Sequence, residues 1–177
     1  MDQNAPKRLT EEKCYELYNE FDTPERVKRH CAAVSDAGVR IGEALNRSGM
    51  KLDIDLIKMS GLIHDVCRRQ EDHGHVAARI LESRGYTREA DVVREHMYYD
   101  FNPIEKLNET DVMCLADRLV KEDQYVGLDE RVDYLIKKRK QTEETKEMLL
   151  QKKAETEVYI KQLESIIGQS IDSLFGK

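Results

Sequence analysis

The sequence predicts an all-α protein on three observations. Its composition is rich in strong helix formers, it has too few turn residues for a β fold, and its apolar residues recur at spacing three and four. In 177 residues there are three prolines and nine glycines, with 36% charged residues, 6% aromatics and no tryptophan. Leu, Glu, Lys, Arg, Ala and Met carry little penalty on entering a helix. The length fits one domain with an appendage and suffices to bury a core.

The elements follow in order. A short helix is expected over Glu11 to Glu20. Thr23-Pro24-Glu25 then reads as an N-cap, a first-turn proline and an early acid, a helix start. The helix that follows places Val27, His30, Cys31, Val34, Ala37, Ile41, Ala44 and Leu45 on one stripe. The next runs from Asp53 to Cys67 and is the most apolar of the chain. A third spans His73 to Arg84 and is stopped by Gly85. Two more are expected over Thr87 to Tyr98 and Thr110 to Glu122. Beyond Leu128 the texture becomes polar and Lys/Glu-rich, so residues 1–128 read as the core and 129–177 as a charged extension. The extension predicts one long terminal helix whose Ile160, Leu163, Ile167, Ile171 and Leu174 dock on the domain or pair with a second copy.

The net charge of -6 argues against a general nucleic-acid binder. Any anionic substrate must therefore meet positive charge built locally. Cys14, Cys31, Cys67 and Cys114 are widely spaced, without a C-x-x-C pair, and read as reduced packing thiols. The start MDQNAPKRLT lacks an apolar signal region and no apolar run approaches the length of a span, so a cytoplasmic location with no membrane contact is expected.

The histidines and two aspartates fall on core faces. His30 lies on the apolar stripe of its helix, and His73 precedes Val76, Ala77 and Ile80 at helical spacing. His96 follows Val92 and Val93, Asp117 shares a face with Met113 and Val120, and His64-Asp65 ends the most apolar helix. One inward histidine is ordinarily a hydrogen-bonded core residue. An ionised carboxylate, however, is buried only with a partner or a metal. Four histidines and two aspartates, all inward on successive helices, point to a shared metal site. Imidazole plus carboxylate without thiolate suits Fe, Mn, Co, Ni or Zn in a catalytic site rather than a structural zinc site. Six ligands exceed what one open catalytic ion needs. Two ions sharing Asp65, about 3.5–4 Å apart, would use the set to activate a bridging hydroxide and hold a phosphoryl oxygen.

The ordered set His30, His64-Asp65, His73, His96 and Asp117 resembles the HD superfamily of metal-dependent phosphohydrolases. The strings GLIHDV, DHGHVAARIL, REHM and LADRLV agree with it, over roughly Pro24 to Val126. The chain is similar to the branch of bacterial diadenosine tetraphosphate hydrolases. Its wording is closer still to small HD domains associated with molybdopterin-nucleotidyltransferase-like proteins. The resemblance implies a compact helical HD-domain bundle with two divalent metal ions, iron first among them. His30, His64, Asp65 and Asp117 would be the core ligands, with His73 and His96 completing a second position. His64 and Asp65 would also be the catalytic pair. The family pattern selects His73 over the neighbouring His75, which reads as a surface or substrate-facing residue. The absence of a second histidine after His96, and of a GYP signature, sets the chain apart from cyclic-di-GMP phosphodiesterases.

Arg68, Lys121 and His75 are the candidate substrate contacts. Arg69 and Arg118 read as solvated or dipole-compensating charges, and Tyr98, Tyr99 and Phe101 as packing rather than base-stacking residues. The expected function is hydrolysis of a phosphoester or phosphoanhydride of a nucleotide or dinucleoside polyphosphate by a metal-bound hydroxide. The alternative is a metal-binding regulatory module that works through a partner. A homodimer through the C-terminal helix is the partner arrangement the stripe allows.

Overall fold

The computed structural model describes residues 7–97, 99–138 and 142–177. Among them the architecture is all-α apart from one short hairpin. Helix α1 (Glu11–Glu20) forms where expected, with the Thr10 side chain accepting from the Lys13 backbone N–H. Helix α2 (Glu25–Arg47) is central and packs along both α3 (Ile54–Ile63) and α6 (Glu109–Leu119). Pro24, not Thr23, is its N-cap. The Thr23 hydroxyl instead donates to the Val66 carbonyl at 2.8 Å, so it buttresses the turn after α3 rather than starting α2.

Close approach of α2 and α3 is possible because glycines face the contact. A Cβ added at Gly38 would meet Ile57 Cγ2 at 2.8 Å, and one at Gly61 would meet the Ser35 Cα at 2.7 Å. Asp53 opens α3 by accepting from the Leu56 backbone N–H at 3.1 Å, and it also holds Arg8 at 2.7 Å and Arg88 at 2.6 Å. Burial works to raise the Asp53 pKa, but the hydrogen bonds from Arg8 and Arg88 outweigh it and hold the carboxyl down to about 2. The folded value therefore lies below the unfolded one, about 3.9. The contribution of this carboxylate is complete above the unfolded value and is lost as the pH falls through the folded one. Asp53→Asn keeps a capping acceptor but loses the charge that holds Arg8 and Arg88, and is expected to cost about 0.5–1 kcal/mol at neutral pH. Urea midpoints of variant and wild type should converge on acidification, and a gap that stayed constant would contradict this account.

Helices α4 (His73–Ser83) and α5 (Thr87–Glu95) form an antiparallel pair joined through Gly85, whose φ of 85° suits a glycine after a helix end. The α5 residues end earlier than Tyr98, which lies outside the described residues, as do residues 1–6 of the N-terminal segment. Helix α6 also ends earlier than expected. Val120 turns extended, and Val120–Lys121 (β1) pairs antiparallel with Gln124–Tyr125 (β2). The Leu119 carbonyl accepts from both Val126 and Gly127, which closes the chain back on itself.

The extension holds two helices rather than one long one: α7 (Leu128–Lys138) and α8 (Glu143–Ile167). Residues 139–141 between them lie outside the described residues. Thr142 has extended backbone and caps α8 by accepting from the Thr145 N–H at 3.2 Å, which sets a separate helix start. The apolar stripe of the extension docks within the chain. Tyr159, Leu163 and Ile171 are buried in one cluster with Ile41, Leu45, Leu115 and Leu119. All four cysteines are free and buried. Among the described residues, no helix is long and apolar enough to cross a membrane.

Candidate metal centre

Five elements deliver the six inward residues to one place. His30 lies in the second turn of α2, and His64-Asp65 follow directly after α3. His73 is the first residue of α4, His96 follows α5, and Asp117 is near the end of α6. The chain after Ile63 leaves the α-helix through successive tight turns: Val66 N–H to Ile63, Arg68 to Asp65 and Gln70 to Cys67. This is why α3 stops before Cys67. The tighter winding presents both His64 and Asp65 inward, which regular helix would not do for neighbouring residues.

The six residues fall into two triads, His30–His64–Asp117 and Asp65–His73–His96. Within each, the ligand atoms all lie within 4.8 Å of one another. In the first, His30 Nε2 is 3.0 Å and His64 Nε2 is 3.8 Å from Asp117 Oδ1. In the second, Asp65 Oδ1 lies 2.9 Å from His73 Nε2 and 3.5 Å from His96 Nε2, and the two imidazole nitrogens are 3.3 Å apart. Donor atoms bound at about 2.1 Å to one ion stand roughly 3.0–3.4 Å apart, so the second triad already has the spacing of a ligand set. The triads are contiguous. The His64 ring packs edge-on against both His30 and His96, and Asp65 Oδ2 turns towards His64 Nε2 at 3.9 Å. One carboxylate thus shows an oxygen to each triad.

The tautomers are fixed from behind. His64 Nδ1–H donates to the Gly61 carbonyl at 2.8 Å, His96 Nδ1–H to Val93 at 2.6 Å and His30 Nδ1–H to Glu122 at 2.7 Å. Each ring therefore turns an Nε2 lone pair inward, the arrangement that outer hydrogen bonds impose on metal-binding histidines. His64 Nε2 is buried and has no hydrogen-bond partner. An orphaned lone pair between two carboxylates is costly without a cation, and an ion there would satisfy it. The residues fit a metal.

The electrostatics agree. Burial pushes the His64 pKa down to about 4, against the pull of Asp65 and Asp117, so this imidazole is neutral at physiological pH. Burial also disfavours charge on Asp65. The imidazoles of His64, His73 and His96, which favour the anion whenever they carry an inward proton, nevertheless hold its carboxyl far below the usual range. Asp117 is likewise held down, chiefly by His30 and His64 against its burial. Both carboxylates are available as anions.

Among the other candidates, Arg68 does reach the centre. Its Nη1 lies 2.9 Å from His73 Nε2 and 3.4 Å from Asp65 Oδ1. His75 does not; it is exposed and pairs with Asp72 at 2.9 Å. Lys121 is drawn away to Glu130 at 2.8 Å and lines a neighbouring cavity that shares Tyr134 and Lys138 with the one over the centre. Arg69 pairs with Asp22. Arg118 is more than a solvated charge: it binds the Thr156 hydroxyl and the Tyr99 carbonyl, and so ties α8 to the loop after His96. Phe101 stacks on Tyr159 at 4.2 Å and Tyr99 donates to Asp111, both as packing residues.

A cavity of about 470 Å³ opens over the centre, with His30, Asp65 and Arg68 on its floor. Its walls include Arg26 and Arg29 from α2, Glu122 and Asp123 from the hairpin turn, and Arg131, Tyr134 and Lys138 from α7. None of these wall residues stands out in the sequence, because α7 carries charge on several faces and no motif marks one of them.

The HD domain family profile matches residues 27–122, more than half of the chain. The chain belongs to the HD domain family. HD domains bind divalent metals and are generally metal-dependent hydrolases. The matched span begins before His30 and ends after Asp117, so it contains all six inward residues. An uncharacterized protein of Methanocaldococcus jannaschii is 32% identical over 74 residues, which cover 40% of this chain and 44% of that protein. The HD chain thus aligns with less than half the length of this relative. No solved structure matches it significantly.

Proposed function

We propose that this HD domain hydrolyses a phosphoester or phosphoanhydride, in a nucleotide or dinucleoside polyphosphate. The observation that carries the reading is Asp65, which turns one oxygen to each of two contiguous triads beneath a cavity whose walls carry four cations beside Glu122 and Asp123. His30, His64 and Asp117 would hold one divalent ion and Asp65, His73 and His96 a second, with Fe first and Mn, Co, Ni or Zn as alternatives. The ions, when bound, supply the acidity that makes water a nucleophile near neutral pH and the charge that steadies a phosphoryl oxygen.

The chain's own residues do the rest. The carbonyls of Gly61, Val93 and Glu122 keep three imidazoles in the tautomer that turns Nε2 inward. His64 remains neutral, and Asp65 and Asp117 remain anionic without a proton to lose. Arg68, anchored at the edge of the second triad, is the nearest guanidinium to an incoming phosphate and can take two oxygens at once.

The test is metal content per chain on anaerobically purified protein, with phosphate release measured on the same sample across nucleotides and dinucleoside polyphosphates. About two ions per chain with release from one substrate group is the expected result. Stoichiometric metal with no release from any of them would overturn hydrolysis and leave a metal-binding regulatory module. The register of the second triad is tested by a pair of variants. His73→Ala is expected to lose metal from one position, whereas His75→Ala, altering an exposed ring paired with Asp72, should leave metal content unchanged. Equal losses would overturn the assignment.

A further inference from the structure

We propose that α7 forms a phosphate-reading wall of the cavity, with Arg131 and Lys138, joined by Arg26 from α2, holding the non-reacting phosphates of a polyphosphate-bearing substrate. This rests on the hydrolase reading above and narrows it to a substrate with a chain of phosphates rather than a single one.

The argument begins with pairing. In a chain of net charge -6, most exposed arginines near acids find them. Arg8, Arg29, Arg84, Arg88 and Arg94 each hold a carboxylate. Around the cavity Arg29 still pairs, with Asp123, but three other cations do not. Among the described residues Arg26 has no ion pair, and the Arg131 side chain has no carboxylate partner while its Nε is buried without any hydrogen-bond acceptor. Lys138 touches only the Tyr134 hydroxyl, at 2.5 Å, and the face of that ring. An unsatisfied buried guanidinium N–H costs free energy unless an acceptor arrives. The three cations line the same cavity that reaches His30, Asp65 and Arg68, so the acceptor would sit beside the metal centre.

Tyr134 explains why the wall reads phosphate rather than a base. Its ring lies near the charged ends of Lys121, Arg131 and Lys138, at 5.3, 5.9 and 4.8 Å. Its hydroxyl is fixed by donation to Glu122 at 3.0 Å. The ring is a post that positions cations and has little open face on which a nucleobase could stack. Arg68 at the floor and Arg131, Lys138 and Arg26 on the walls spread positive charge around the cavity. Arg131 and Lys138 stand two turns apart on α7, about 10 Å along its axis, so a single phosphate engages only part of this charge.

The experiment is calorimetric titration of the metal-loaded full chain with inorganic phosphate and with magnesium tripolyphosphate, metal content being measured again afterwards. Tripolyphosphate is expected to bind more tightly than phosphate. Arg131→Gln and Lys138→Gln should each lower its affinity by about 10–100-fold, the scale of one charge-assisted hydrogen bond, with phosphate affinity unchanged. Arg26→Gln, at an exposed position at the start of α2, should act in the same direction and cannot owe its effect to a lost α7. Equal losses for both anions, or none for tripolyphosphate, would overturn the wall. A wild-type chain that takes up no metal would instead defeat the hydrolase reading, while the tripolyphosphate losses would still report on the wall.

Discussion

Asp65→Ala is expected to remove metal and turnover together, lowering activity by more than about 100-fold, the upper end of what loss of an outer hydrogen-bond partner alone costs at a metal site. Asp65 belongs to the second triad and turns its other oxygen to the first. Its Oδ1 faces His73 and His96 while Oδ2 faces His64. Removing it leaves His30, His64 and Asp117 with one carboxylate and His73 with His96 with none. The second position should therefore empty first, and the first should weaken through loss of an adjacent negative charge. Metal analysis and phosphate release on one preparation separate this from unfolding, with helicity by circular dichroism as the control. Turnover surviving in a folded Asp65→Ala protein would sink the site assignment. Asp65→Asn, which keeps shape but not charge, should resemble alanine in metal content.

The second large effect is expected at a residue without a side chain, whose carbonyl holds His64 from behind. A Cβ at Gly61 would lie 2.7 Å from the Ser35 Cα and 3.0 Å from its backbone nitrogen. Backbone cannot swing aside as a side chain can, so α2 and α3 must separate. Overpacking of this sort costs about 1–3 kcal/mol, and here the upper part of that range applies. For a chain of this size the melting temperature should fall by several degrees, at about 2–4 °C per kcal/mol. The same substitution displaces the carbonyl that holds His64 Nδ1 and the helix that carries His30. Metal affinity should therefore fall with stability. Gly42→Ala is the control, since its Cβ most closely meets the terminal Cδ1 atoms of Ile57 and Ile54, at 2.9 and 3.0 Å. Equal destabilisation by the two would show that helix separation is not the cause.

Much of this arrangement was legible because the ligands obey helical spacing. His30, His73, His96 and Asp117 each share a face with core residues, and imidazole or carboxylate in such places demands an explanation. The family's ordered strings then fixed their sequence along the chain. The features that escaped are those set by contacts distant in sequence. Val120 continues the apolar pattern of α6, so nothing local announces that it turns extended to pair with Tyr125. Thr142 is one threonine in a polar run, and its role as a cap depends on where α8 docks. Lys121 follows Asp117 at helical spacing, yet the hairpin carries it away to Glu130. Arg131 and Lys138 gain meaning only when α7 is laid over a cavity whose floor lies some seventy to a hundred residues earlier.

Glu122 sits in the two-residue turn between β1 and β2 with φ of 55°, a conformation in which glycine is the ordinary occupant. Holding a side chain there costs about 1–2 kcal/mol. Its carbonyl accepts from His30 and its carboxylate from Tyr134, so this one turn joins the floor of the cavity to the α7 wall. A search for heat-resistant variants would be drawn to glycine at this position. The backbone would relax, and α7 would lose one of its tethers to the hairpin, keeping the ion pair of Lys121 with Glu130. Thermal robustness and a closed cavity therefore pull in opposite directions at Glu122, and a chain optimised for the first would give up part of the second.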